Sequence, residues 1–97
     1  MTVTTVTRFH ATAGREDDLR ALVTYGRDQM RAADGCASFE LLQDEADPRA
    51  LIFIQYWVSH KAHDTAFAER IVKSGHLSKV LEPIDEPIVQ HSYQTTA

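Results

Sequence analysis

Leu51-Ile52-Phe53-Ile54-Gln55-Tyr56-Trp57-Val58-Ser59-His60 is the stretch on which the fold turns. Seven of its first eight residues are apolar or aromatic, and most are β-branched or aromatic, which favours a strand over a helix. A strand with no clean polar alternation is covered on both faces. Leu51, Phe53, Gln55 and Trp57 point one way and Ile52, Ile54 and Tyr56 the other. Ser59 follows as a helix N-cap, so Trp57 is expected at the mouth between a sheet and the helix leaving it. Any pocket is expected there.

Working outward, residues 2–10 are dense in Thr and Val and read as a first strand. Val3, Thr5, Thr7 and Phe9 share one face; Thr4, Val6, Arg8 and His10 take the other. Ala13-Gly14 turns the chain into a helix over 15–33. Leu19, Leu22, Val23, Gly26 and Met30 form its apolar stripe, and Glu16-Asp17-Asp18 complement its dipole. Gly26 in mid-helix points to a close helix–sheet approach. Gly35 suits a left-handed cap. Cys36 to Gln43 is strand two, and a polar connection with Pro48 leads to strand three. Helix two is expected over 60–74, with His63, Ala66, Phe67, Arg70 and Ile71 on one side. Leu77, Val80, Leu81 and Ile84 predict a short third helix, and 88–93 the fourth strand. The tail from Gln94 is expected to fray.

The order β-α-β-β-α-α-β is the split βαβ pattern of an α+β, ferredoxin-like sandwich with a four-stranded antiparallel sheet. Ninety-seven residues are enough for a single domain over 1–97. A chain of this size buries only roughly two-thirds of its unfolded surface. One sheet face takes the helices, and the other, left apolar, is expected to meet a second subunit in a homodimer.

Composition excludes several functions. Ten Lys+Arg against fourteen Asp+Glu give a net charge of −4, with no basic stripe for nucleic acid. No stretch approaches the ~20 apolar residues of a membrane span. A lone Cys36 forms no internal disulfide, which fits a reducing cytoplasm. It reads as a small buried hydrophobe rather than a nucleophile. The four glycines are scattered and make no phosphate loop. His60 and His63 lie close enough for one metal, but no third ligand accompanies them, so no metal is expected.

The remaining candidates gather around strand three. His63 reads either as a buried side chain bonded to a carbonyl or as a general base, since imidazole titrates near neutrality. His76 caps the helix break or contacts a ligand. Arg70 pairs with a phenolate or carboxylate, or snorkels to neighbouring acids. Trp57, Phe9, Phe53 and Phe67 read either as plain core or as the wall of an apolar pocket, beside polar Gln55. His10 and His91 are expected to be satisfied at the sheet or dimer surface.

Five segments carry a resemblance in order and spacing. They are Phe9-His10-Ala11-Thr12-Ala13-Gly14; Ala33-Asp34-Gly35-Cys36-Ala37-Ser38-Phe39-Glu40-Leu41; Asp47-Pro48; Tyr56-Trp57-Val58-Ser59-His60-Lys61-Ala62; and Ser74-Gly75-His76-Leu77. Together they resemble the antibiotic biosynthesis monooxygenase family over essentially the whole chain. The resemblance implies a dimeric α+β barrel with a cavity between helices and sheet. It further implies oxygenation by O2 of a phenolic, quinol or polyketide-type aromatic, without metal, flavin or other cofactor. Family members carry a His nine residues beyond the strand-end aromatic, where this chain has Ala66; His63 lies one turn earlier. The segment from 66 to His76 is about five residues longer than usual. Haem-degrading relatives have an Asn where this chain has Thr7, so haem degradation is not expected. On this reading His63 and Trp57 are catalytic, and Thr7, Phe9, Phe53, Gln55, Phe67, Arg70 and His76 bind substrate. The rival readings are a module that only binds a small aromatic ligand, and a cofactor-free cyclase or isomerase on the same fold.

Overall fold

The computed structural model describes residues 2–96. Its elements are β1 (Val3–His10), α1 (Glu16–Arg31), β2 (Cys36–Gln43), β3 (Ala50–Trp57), α2 (His60–Ala66), a π-helical segment (Phe67–Val72), α3 (His76–Val80) and β4 (Val89–Gln94). The strands form one antiparallel sheet in the order β2-β3-β1-β4. This is the α+β sandwich that the sequence pattern predicts.

β3 is central because it is apolar on both faces and pairs along its full length with β1 and β2. The inner face carries Val3, Thr5, Thr7 and Phe9 from β1, all buried, beside Leu51, Phe53, Gln55 and Trp57 from β3. Opposite them, α1 lays down Leu19, Val23, Gly26 and Met30. Burying each large apolar side chain contributes about 1.5–3 kcal/mol, so this helix–sheet interface dominates the core. The other face leaves Tyr56, Leu42, Val89 and Tyr93 at least two-fifths exposed, with Val6, Ile52 and Ile54 half-buried between them.

Two glycines behave differently. Gly35 has φ +88°, and a Cβ there would stand 2.7 Å from Ala62 Cβ and 3.0 Å from Val58 Cγ2. Only glycine fits that crossing of the α1–β2 turn and α2. Gly26, expected to mark a helix–sheet approach, instead faces His76 and Ile71, and a Cβ there would meet them at 3.6–3.9 Å. That is ordinary contact, so its partners are the later helices rather than the sheet.

Helix two departs from expectation. Ser59 Oγ accepts from Ala62 N–H at 3.1 Å and caps it as predicted. After Ala66, however, the ladder widens, and Lys73 N–H donates to Ala68 carbonyl, five residues back. An α-helix turns by roughly 100° per residue and this wider coil by nearer 80°. Ile71 is therefore brought into line with His63, and Arg70 is swung off the inward arc that a regular helix would give it. The third helix also ends early: Leu81 caps it, Pro83 prevents continuation, and Ile84 bridges to Ala11 as extended chain. β4 runs one residue later at each end than the sequence suggests.

Candidate functional site

Between the inner sheet face and the helices lies a cavity of about 180 Å³. The sheet floor contributes Thr7, Phe9, Phe39, Phe53 and Gln55, with Ile88 and Gln90 from the β4 side. α1 supplies Val23, Gly26 and Met30, and the later helices His63, Phe67, Ile71, His76, Leu77 and Val80. The floor is interlocked: the Phe53 ring meets Phe9 at 4.9 Å and Phe39 at 4.8 Å, both edge-on. Such T-shaped pairs add to burial and fix ring positions.

Seven of the nine sequence candidates line this space: Thr7, Phe9, Phe53, Gln55, His63, Phe67 and His76. Trp57 does not. It was expected at the pocket mouth, but it is fully buried behind the cavity wall. Its strand pairs on both sides, with Val3 and with Cys36, and α2 starts directly over it. Arg70 is the other exception. The π turn directs it to an outer groove between the end of α1 and α2, where Nη1 donates to Gln29 carbonyl at 3.4 Å. Gly26, Met30, Ile71, Ile88 and Gln90 were not among the sequence candidates. Gln90 lies opposite Thr7 in the sheet register, which was the available signal once β4 was placed beside β1.

Few polar atoms face this apolar space, and each is oriented. Trp57 Nε1 donates to Gln55 Oε1 at 2.8 Å. Indole N–H is only a donor, so this contact fixes the amide and leaves Gln55 Nε2 without a hydrogen-bond partner among the described residues. His63 Nδ1 lies 2.9 Å from Asp64 Oδ1. A carboxylate accepts, so Nδ1 carries a proton, and in the neutral imidazole it is Nε2 that keeps the lone pair. The His63 ring is set edge-on to Trp57, at 5.5 Å, and stacked on Phe67, at 6.1 Å. His76 Nε2 donates to Leu22 carbonyl at 2.7 Å, and Thr7 Oγ1 to Gln90 Oε1 at 2.9 Å. Thr5 Oγ1, in the register row of Gln55, is buried without a hydrogen-bond partner among the described residues.

A second cluster sits where β1, the β2–β3 hairpin and the segment before β4 meet. His10 Nδ1 contacts Asp85 Oδ1 at 2.6 Å and Glu86 Oε2 at 3.1 Å, while Nε2 contacts Asp47 Oδ2 at 2.9 Å. Arg49 pairs with Asp85 and Arg8 with Glu86. The hydrogen bonds to Asp85 and Asp47 raise the His10 pKa above its ordinary value. Asp85 is lowered chiefly by His10, and Asp47 chiefly by Arg49 backbone N–H and then by His10. His10, Asp85 and Glu86 are the one trio of potential metal ligands among the described residues. With both ring nitrogens on carboxylates and two arginines present, the cluster is a charge-balanced clamp. Its chemistry does not suit a metal ion. His10 is thus satisfied, as expected, though by a network with no trace in local sequence. Half-buried Cys36 has its thiol pKa pushed up by burial, which disfavours a reactive thiolate. No helix among the described residues is long and apolar enough to cross a membrane.

The fold recurs widely among solved structures. Rv0793 from Mycobacterium tuberculosis superposes with a TM-score of 0.89 at 22% identity, covering 100% of this chain and 97% of that one. A conserved protein from Methanosarcina mazei Go1 gives 0.90 at 14%, covering 99% and 94%. A mutant of SnoaB, a cofactor-independent oxygenase from Streptomyces nogalater, gives 0.84 at 17%, covering 99% and 94%. At these identities the likeness is one of fold. No curated protein matches the sequence. The sequence model for antibiotic biosynthesis monooxygenase, however, matches residues 2–82, which span β1 through α3 and nearly the whole cavity. The chain belongs to the antibiotic biosynthesis monooxygenase family.

Proposed function

We propose that this protein oxygenates a small phenol or quinol with O2 in the cavity beneath the helices, with His63 as the base. The observation that carries the reading is the His63 ring, its Nδ1 held by Asp64 and its Nε2 left for a substrate hydroxyl in a largely apolar space. Removing that proton gives a phenolate, which is electron-rich enough to pass an electron to O2, and dry walls keep the radical pair together. For a benzenediol the balance is simple. The ring gives up four electrons, a C–H bond and the O–O bond break, one oxygen forms the new C–O bond, and two hydrogens leave with the other as water. The product is a hydroxyquinone.

Membership in the family supports the reaction type. The test is oxygen uptake by purified protein across a panel of phenols and quinols, with product mass recorded. Turnover with one added oxygen bears the proposal out; tight binding with no oxygen consumption supports the rival, a binding module. Ala66, buried where relatives carry a His, is what favours that rival.

The exposed apolar face of Tyr56, Leu42, Val89 and Tyr93 supports a homodimer through the open side of the sheet. The same face leaves the cavity side of the sheet free, so each subunit keeps its own site.

A further inference from the structure

The volume of the cavity and its few unpaired polar atoms narrow the class of ligand. We infer that the site takes one six-membered aromatic ring bearing a free hydroxyl, gripped by Gln55 and His63 together, and that it rejects three fused rings. This rests on the cavity being the substrate site.

Size comes first. A dry apolar cavity of ~150 Å³ admits benzene. The space here is about 180 Å³, room for one ring and small substituents. The floor does not yield readily, because Phe9, Phe53 and Phe39 are locked edge to face. The roof is filled by Phe67 and by Ile71, which the π turn brings inward. Gly26 brings no side chain to the α1 wall, and a Cβ there fits against His76 and Ile71 at ordinary contact distance.

Polarity comes second. Gln55 has its oxygen occupied by Trp57, so its unpartnered Nε2 offers N–H groups. His63 has Nδ1 occupied by Asp64, so Nε2 offers a lone pair. Both side chains abut Trp57 and both line the cavity. A donor and an acceptor in one small apolar space suit a hydroxyl, which gives its hydrogen to His63 and accepts from Gln55. An aryl methyl ether lacks the hydrogen, and a buried His63 lone pair then goes unmet.

The experiment is equilibrium binding under argon, read by calorimetry and by fluorescence of the single tryptophan, Trp57, which touches both gripping residues. The probes are hydroquinone, its monomethyl and dimethyl ethers, 1,4-naphthalenediol and 1,8,9-anthracenetriol. Hydroquinone should bind at least ~10-fold more tightly than the dimethyl ether, the scale of one unmet buried polar group. The anthracenetriol should not saturate. His63→Leu should narrow the diol-to-ether ratio, Gln55→Leu should weaken diol and ether alike, and Gly26→Val should exclude the naphthalenediol before it weakens hydroquinone. A three-ring ligand that binds best, or an ether that binds as well as the diol, overturns the inference. The unmodified protein decides both points, so a poorly folding variant does not leave them open. Oxygen consumption is not read here, so a bound phenol that is never oxidised counts against the proposed reaction and not against this assignment.

Discussion

Asp64 Oδ1 lies 2.9 Å from Nδ1 of His63, on the next residue of α2, and the carboxylate is three-quarters exposed while the imidazole is buried. A solvent-facing group thus sets the tautomer of a cavity-facing one. Exposed pairs contribute little stability, so Asp64→Ala should change unfolding free energy by less than about 0.5 kcal/mol. It should nevertheless raise the Nε2-protonated fraction of His63, visible in ¹⁵N NMR of the ring. An unchanged nitrogen spectrum would mean that Asp64 does not orient the base.

His63→Ala should lower phenol-dependent oxygen uptake by about 10²-fold or more, the usual scale for a lost general base. Arg70→Ala should leave it unaltered, since Arg70 faces the outer groove. Parallel oxygen-electrode traces of the two variants compare them directly. Equal losses would contradict the placement of the site.

Gly35 and Gly26 should respond to alanine with opposite signs. At Gly35 the left-handed backbone and the 2.7 Å encounter with Ala62 combine, so Gly35→Ala should cost about 2 kcal/mol or more. At Gly26 the helix gains about 0.8 kcal/mol from propensity, and nothing stands closer than 3.6 Å. Urea unfolding of both variants reads the difference through the midpoints.

The clamp around His10 should give stability a defined pH window. His10 has a raised folded pKa, so its contribution is fully present below the ordinary imidazole value of 6.5 and is lost as pH rises through the raised one. Asp47 and Asp85 have lowered pKa values, so theirs is present above the ordinary 3.8 and is lost as pH falls through the lowered ones. The stability gap between wild type and His10→Gln should therefore be widest between these limits and close toward alkaline pH. A gap that stays constant to pH 9 would exclude a charged His10 from the clamp.

The open sheet face should hold two copies together. Val89 pairs with Arg8 in the β1–β4 register, so Val89→Lys sets like charges side by side on that face. Sedimentation at ~10 µM protein should show dimers for wild type and monomers for the variant. A monomeric wild type would remove the dimer reading.

Much of this was legible in sequence. β3 announced itself by composition, β1 by its Thr/Val alternation and α2 by Ser59, and together these elements carry five of the sequence candidates that line the cavity, Thr7, Phe9, Phe53, Gln55 and His63. What was not legible has separate causes. Arg70 was placed by a 3.6-residue period that the chain abandons after Ala66. Trp57 ends its strand as expected, but the helix expected to flank a pocket mouth there packs His63 against its ring and leaves it fully buried. The His10 clamp joins residues 37 and 75 positions apart, and no local pattern records such a meeting.

The five-residue hydrogen-bond step after Ala66 has a bearing on how this helix tolerates changes in length. A regular coil that lost one residue between 67 and 72 would still present Ile71 beside His63, because the deletion subtracts about as much rotation as the wide turn already does. The loop of extra width is slack taken up in place. Deleting exposed Ala68 should rewind the segment as ordinary helix while the side chains over the hollow keep their bearing, so that shortening the chain there spares the geometry above the cavity.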